Sequence, residues 1–265
     1  MTHQNYLRTL LNGNKPSICT RLWSTWPIYV ESLGYTGYYD YMEYVAEYSP
    51  FSQMDLENLA RAAQLYEMGA MIKVDLQNRF YVAQKAVAAG FEAINFTDHR
   101  TAEEVRQSIA SVRPLTVGSE GVFGHPNRRF ICEPHNVSQL EHIRRLNDIV
   151  CCFMIEKQEA VDNIEEICSV PGVDMVQFGP ADYSMSLGRN KTENPESWRA
   201  VERYVIKVAL SHGVQPRCEI NSAEEAKYYA DLGVRHFSVG DQMKVLRDFW
   251  QEQGQKMKTI TNSLE

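Results

Sequence analysis

Two carboxylates stand where short apolar runs end. Glu156 follows Cys151-Cys152-Phe153-Met154-Ile155, and Asp182 lies just beyond Val176-Gln177-Phe178 in the segment VQFGPADYSMSLG. Two hard oxygen donors brought to one place hold a divalent cation of the Mg2+ or Mn2+ class, with positions left for water and substrate. A cation held in that way polarises a carbonyl group and neutralises charge that develops on its oxygen. Read one at a time, each carboxylate is equally a helix cap or a solvent-facing charge after a strand.

Further polar groups sit at the ends of other apolar runs. Arg21, just before Leu22-Trp23, suits an anionic substrate or a structural salt bridge. Asp98, His99 and Arg100 follow the run at 91–96, and a neutral imidazole makes His99 a candidate for proton transfer. The same three residues also suit the cap of a following helix. Glu219 and Asp241 are polar candidates at two later run ends, with a structural role as the alternative. The stretch 118–129, carrying Glu120, His125, Arg128 and Arg129, reads as an active-site lid, a subunit contact or a plain surface loop. Aromatic residues across 35–48 suit either an apolar entrance or packing within the strand core.

The elements that must position these groups repeat one grammar. Strands are expected at 17–22, 38–44, 71–74, 91–96, 149–155, 173–178, 214–218 and 236–239. Helical spacing of apolar residues follows most of them, at 27–33, 54–67, 80–89, 101–111, 137–146, 159–169, 195–211, 223–232 and 242–255. Glycines and prolines between 114 and 134 make a long loop, and GPADYSMSLG after the sixth strand reads as a loop too. Eight strand–helix units without GxGxxG at the first junction favour a (β/α)8 TIM barrel over an open dinucleotide-binding sheet. The expected organisation is one barrel domain over 1–265 that closes with a C-terminal amphipathic helix.

Composition sets outer bounds. The chain has 265 residues, 44% hydrophobic and 23% charged, with a formal net charge of −7. That length suits one α/β barrel, and the negative balance argues against a nonspecific nucleic-acid surface. No apolar run reaches membrane-spanning length, and the first residues lack a secretory signal pattern, so no membrane partner is expected. Six cysteines without a CxxC pair fit reduced thiols, which makes the cytoplasm the expected compartment.

The segment FMIEKQEAVDNIEEICSVPGVDMVQFGPADYSMSLG, from Phe153 to Gly188, resembles the HpcH/HpaI class II pyruvate-aldolase family, with weaker similarity over 22–246. GPADxSxSLG is its most specific part. The resemblance implies a (β/α)8 barrel, a divalent metal on Glu156 and Asp182, a pyruvate enolate, and a homo-oligomer that is a trimer or hexamer. The backbone at Gly179, Pro180 and Ala181 would line the substrate site, with N–H donors at Gly179 and Ala181.

The resemblance also marks departures. The family's second strand ends in a segment like DGEH, and the matching residues here are Val45-Ala46-Glu47-Tyr48. Tyr48 therefore occupies the position of the acid–base histidine, while Glu47 is retained and could act through water. A phenol titrates far above a neutral imidazole, so Tyr48 would donate a hydrogen bond, act as a perturbed phenol or reshape the pocket. Lys73 matches the family's arginine and keeps the positive charge without the two-pronged donor geometry. Met154 stands where the family commonly has glutamine, with Gln177 or Gln215 as possible replacements.

These residues imply a carbon–carbon lyase or aldolase acting on a small 2-keto acid, with an aldehyde as the second partner. A related decarboxylase or carbon–carbon ligase, or a non-catalytic small-carboxylate-binding barrel, is the alternative.

Overall fold

The structure is a computed structural model that describes residues 4–125 and 137–264. Its strands are β1 Ser17–Leu22, β2 Tyr41–Val45, β3 Gly69–Val74, β4 Ala93–Phe96, β5 Val150–Ile155, β6 Met175–Phe178, β7 Gln215–Ile220 and β8 His236–Asp241. Each pairs in parallel with the next, and β8 pairs with β1 to close the barrel. The fold is the expected (β/α)8 TIM barrel.

The described helices are α1 Tyr6–Asn12, α2 Ile28–Gly34, α3 Gln53–Leu65, α4 Arg79–Ala89, α5 Ala102–Val112 and α6 Gln139–Asn147. They continue as α7 Gln158–Asp162, α8 Ile164–Cys168, α9 Pro180–Ser186, α10 Pro195–Ser211, α11 Ala226–Asp231 and α12 Gln242–Asn262. Local chemistry fixes several of their ends. Ser52 with Asp55 and Thr101 with Glu104 form reciprocal capping boxes at α3 and α5. Gly90 ends α4 at φ 112, a conformation that would strain a side-chain-bearing residue.

The barrel interior changes character along its axis. At the end where the strands begin, Leu7 of α1 packs with Cys19, Tyr41, Met71, Ala93, Val150, Cys152 and Met175. Asn5 Nδ2 donates to the carbonyls of Glu92 and Asp148, and Arg8 grips Asp174 with two bonds of 2.6 and 2.7 Å. The short α1 thus plugs one end of the barrel. Above this apolar layer lies a polar one built on Glu43, Asn95, Gln177 and Arg217, and above that the strand ends open.

Several boundaries differ from the sequence reading. Pro180 starts α9 where a loop is expected, because proline fits the first turn of a helix, and this sets Asp182 in that turn. The helix expected at 159–169 is split into α7 and α8 at Asn163. β7 runs to Ile220 and β8 to Asp241, so Glu219 and Asp241 lie on strands rather than past them. β2 begins at Tyr41, later than the aromatic run suggests, and α12 continues to Asn262.

The described part of the stretch 118–129 does not lie over the strand ends. Val122 N donates to Ala110 O, Phe123 N to Arg113 O, and His125 stacks edge-on to His142 of α6 at 4.3 Å. The segment therefore folds along α5 and α6 on the barrel's outside. Pro126, Arg128, Arg129, Cys132 and Pro134 lie outside the described residues.

Candidate active site

Parallel strands in a barrel end on one face, so the last residues of β1 to β8 and the loops beyond them share one mouth. Glu156, one residue past β5, is 2% exposed. Its Oε1 accepts the Asp98 backbone N–H at 3.0 Å, whereas Oε2 is buried with no hydrogen-bond partner. Burial pushes this carboxyl up to about 7, with Lys73 and the Asp98 N–H pulling down and the Asp182 and Asp98 charges pushing up.

Gly179, one residue past β6, lets the next loop approach this carboxylate. A Cβ there would lie 2.9 Å from Glu156 Cβ and 3.0 Å from Oε2. Pro180 and Ala181 follow in the first turn of α9, and Asp182 behind them reaches the site through its charge, which acts on both Glu156 and Tyr48.

Lys73, on β3, is buried and pairs with Glu47 Oε2 at 2.7 Å. Burial works against its charge, but Glu156, Glu47 and Glu219 outweigh that penalty and raise its pKa. Its ammonium lies 5.5 Å from the ring centre of Tyr48, which in turn stacks on Trp23 at 6.0 Å and 18°. The Tyr48 hydroxyl is raised by burial against the pull of Lys73, and Glu47 and Asp182 push it the same way. At neutral pH Tyr48 is therefore a protonated phenol, a donor rather than a base.

Arg21 holds the opposite rim. Its Nη1 donates to Glu219 Oε2 at 2.7 Å and its Nη2 reaches Asp241 Oδ2 at 3.5 Å.

His99 is elsewhere. Its ring is fully buried between Phe96, Phe153 and α5, with Nε2 2.7 Å from Ser108 Oγ. Burial, with the charge of Arg79, drives it down to about 3, so it is a neutral packing group behind the strands. Gln215 pairs with Met175 at the start of β7, far from the mouth, whereas Gln177 lies inside the barrel below it.

The donor set fits a divalent cation. Oxygen ligands are the right chemistry, the orphaned Oε2 of Glu156 is a buried acceptor that needs a partner, and acidic groups crowd around Lys73. Among the described residues no group of three or more His, Cys, Asp or Glu side chains could hold a metal ion. Glu156 and Asp182 would thus supply two ligands and leave the others to substrate and water.

The family model described as HpcH/HpaI aldolase/citrate lyase matches residues 51–245. The chain belongs to this family. Hydroxypyruvate/pyruvate aldolase of Delftia acidovorans is 26% identical over 224 residues, which cover 83% of this chain and 80% of that one. 4-Hydroxy-2-oxo-heptane-1,7-dioate aldolase of Escherichia coli is 25% identical over 241 residues, 89% of this chain and 88% of that one. The solved structure of an HpcH/HpaI aldolase from Desulfitobacterium hafniense shares the fold with a TM-score of 0.85, at 22% identity and covering 96% and 97% of the two chains. Membership makes this chain an aldolase-like carbon–carbon lyase.

Beneath the mouth lies a network that sequence reasoning missed. Arg217 and Glu43, both fully buried, pair at 2.6 Å. Arg217 also donates to Tyr41 Oη at 2.9 Å and to Gln177 Oε1, and Gln177 Nε2 donates to Glu219 Oε1 at 2.7 Å. Asn95 Nδ2 donates to the second Glu43 oxygen at 2.8 Å. Burial alone would raise Glu43, but Arg217 and Asn95 hold it below the usual carboxylate range. The chain Asn95–Glu43–Arg217–Gln177–Glu219–Arg21 connects the barrel centre to its rim. Opposite charges in the middle of buried strands β2 and β7 were the available signal.

Proposed function

We propose that this chain carries out divalent-metal-assisted aldol chemistry on a small 2-keto acid, joining or releasing an aldehyde. The observation that carries this reading is the orphaned Oε2 of Glu156, enclosed beside Gly179 and facing the charges of Asp182 and Lys73. Glu156 and Asp182 would hold the cation, with Mg2+ or Mn2+ the class that carboxylate oxygens favour. When bound, it would polarise the ketone of the keto acid and stabilise charge on its oxygen.

The chain's own residues do the rest. Lys73 neutralises the carboxylate or departing oxygen, and Arg21, held by Glu219 and Asp241, helps to orient the substrate's anionic oxygen atoms. The Ala181 backbone N–H, in the first turn of α9, adds a donor for developing charge, whereas the Gly179 N–H is already given to Ile155 O at 3.0 Å. In the cleavage direction the substrate hydroxyl proton leaves for Glu47, directly or through water, as the carbon–carbon bond breaks. The bond's electron pair passes into the keto-acid enolate, the aldehyde leaves, and the enolate carbon takes up the proton held by Glu47, directly or through water. Tyr48, held protonated, donates to the reacting oxygen. His99 takes no part.

Assay of the chain against a panel of 4-hydroxy-2-keto acids tests this. Cleavage that stops on chelation and returns with Mg2+ or Mn2+ is expected. Turnover indifferent to chelation and to Glu156→Gln would overturn it. The protonated phenol at position 48 favours one second reading, a decarboxylase or carbon–carbon ligase that keeps the enolate without an imidazole base. Release of carbon dioxide from the same panel distinguishes it. A binding barrel without chemistry would take up pyruvate and turn over nothing.

The same reading includes a homo-oligomer, a trimer or hexamer. α12 buries none of its residues, and Phe249, Trp250, Met257 and Ile260 are all more than half exposed. Ile18 on β1 is 39% exposed, so the barrel face beside α12 is itself incompletely covered. Apolar surface on this scale is a docking surface for another chain, and light scattering at working concentration measures the assembly. The five described cysteines are buried free thiols, in keeping with a reducing cytoplasm. Among the described residues, no helix is long and apolar enough to cross a membrane.

A further inference from the structure

Asp98 adopts φ 57, in the left-handed region that L side chains other than Asn and Asp rarely enter. The conformation is enforced from both sides. Thr97 Oγ1 donates to Val74 O at 2.8 Å, and the N–H groups of Arg100 and Thr101 both donate to Glu104 Oε2 at 2.7 and 3.1 Å. Across the groove to the β5 side, Asp98 Oδ1 pairs with Lys157 Nζ at 3.0 Å, Arg100 with Glu159 at 3.2 Å, and Asn163 Nδ2 donates to Arg100 O at 2.8 Å. A residue pinned this firmly in an uncommon conformation points to a task for its backbone.

That backbone meets Glu156. The Asp98 N–H donates to Glu156 Oε1 at 3.0 Å, and Gly179 leaves room for Oε2, which has no hydrogen-bond partner. We infer that Asp98 is a positioning residue for Glu156: its left-handed turn aims the N–H at one carboxylate oxygen and commits the other to the cation. Bonds that do not use the Asp98 side chain hold that turn, from Thr97 to Val74 O, from the Arg100 and Thr101 N–H groups to Glu104, and from Asn163 to Arg100 O. The inference rests on the metal reading above and names the device that orients its ligand. Groups that orient metal ligands through hydrogen bonds typically contribute about 10- to 100-fold in metal affinity.

The experiment is a calorimetric titration of the full chain with Mn2+, for the unmodified protein and for Glu156→Gln, Asp98→Asn, Asp98→Gly, Asp98→Ala and Asp98→Val. Near-ultraviolet circular dichroism and thermal melting check that each variant is folded. Asn and Gly accept the left-handed conformation and keep the N–H, so both are expected to bind Mn2+ as the unmodified chain does. Val resists that conformation most, and its affinity is expected to fall about 10- to 100-fold. Ala should fall in between, and it serves as the test variant if Val prevents folding.

Asp98→Val and Asp98→Ala binding as tightly as the unmodified chain, while Glu156→Gln loses the ion, would overturn the inference and leave the metal site standing. Asp98→Gly losing as much as Asp98→Val would also overturn it, since the side chain rather than the backbone would then matter. Glu156→Gln binding as tightly as the unmodified chain would overturn the metal reading itself, and the role of Asp98 with it.

Discussion

On the β4–β5–β6 side of the mouth, one buried carboxylate is held by a backbone N–H on one oxygen and approached by a glycine at the other. On the β1–β2–β3 side, a half-exposed phenol stacks on an indole over a lysine that is itself paired to a glutamate. The first side keeps the residues that the family resemblance assigns to the metal. On the second, the same resemblance implies Tyr48 in place of the family's histidine and Lys73 in place of its arginine. Cation binding depends on a few oxygen atoms held in place, so it tolerates little change. Proton transfer can be handed to a different group, and substitutions there retune the reaction while the carbonyl stays activated.

Variants confined to one side or the other can break this division. The largest effect is expected beneath both. Arg217→Met leaves Glu43 charged and uncompensated inside the barrel, which costs about 3–5 kcal/mol. Chemical denaturation measures it, and unchanged stability would show that the floor network contributes nothing. On the β2 side alone, Tyr48→Phe is expected to lower turnover about 100-fold, within the usual range for a positioned acid, with Mn2+ affinity unchanged. A parallel loss of metal binding in calorimetry would mean that the two sides are not separable.

On the metal side, Gly179→Ala puts a Cβ 3.0 Å from Glu156 Oε2 and should weaken Mn2+ binding about tenfold, while turnover at saturating Mn2+ largely recovers. A turnover loss that excess Mn2+ does not restore would contradict this.

The smallest effect on turnover belongs to neither side. His99 is pushed down to about 3 in the fold, below its ordinary value near 6.5. The unfolded chain therefore binds a proton that the folded chain refuses, and stability contributed by the neutral ring is lost as pH falls from 6.5 toward 3. His99→Gln should flatten that part of the stability profile relative to the unmodified chain and leave turnover near its original value. A large loss of turnover would return His99 to the site.

Much of the architecture was legible because helical and strand periods alternate through the whole chain, and Glu156 and Asp182 stood out by following apolar runs. The rest was hidden for physical reasons. All five residues of β2 are buried, so its pattern does not reveal that Glu43 points into the barrel toward Arg217. His99 lies one residue from Asp98 in sequence, yet its ring packs outward against Ser108 on α5, where local sequence carries no sign of direction. The left-handed turn at Asp98 has only a residue preference as its trace. The α9 segment has the sequence of a loop because glycine and proline open it, although proline also begins helices.

Crystals grown with Mn2+ and pyruvate, with data collected at the manganese absorption edge, examine the metal claim directly. An anomalous peak contacting Glu156 Oε2 and the Asp182 carboxylate, with the keto acid's carboxylate and ketone oxygens on the same ion, is the predicted result. Pyruvate bound with no anomalous peak between those two carboxylates, or an ion seated elsewhere in the barrel, would contradict it.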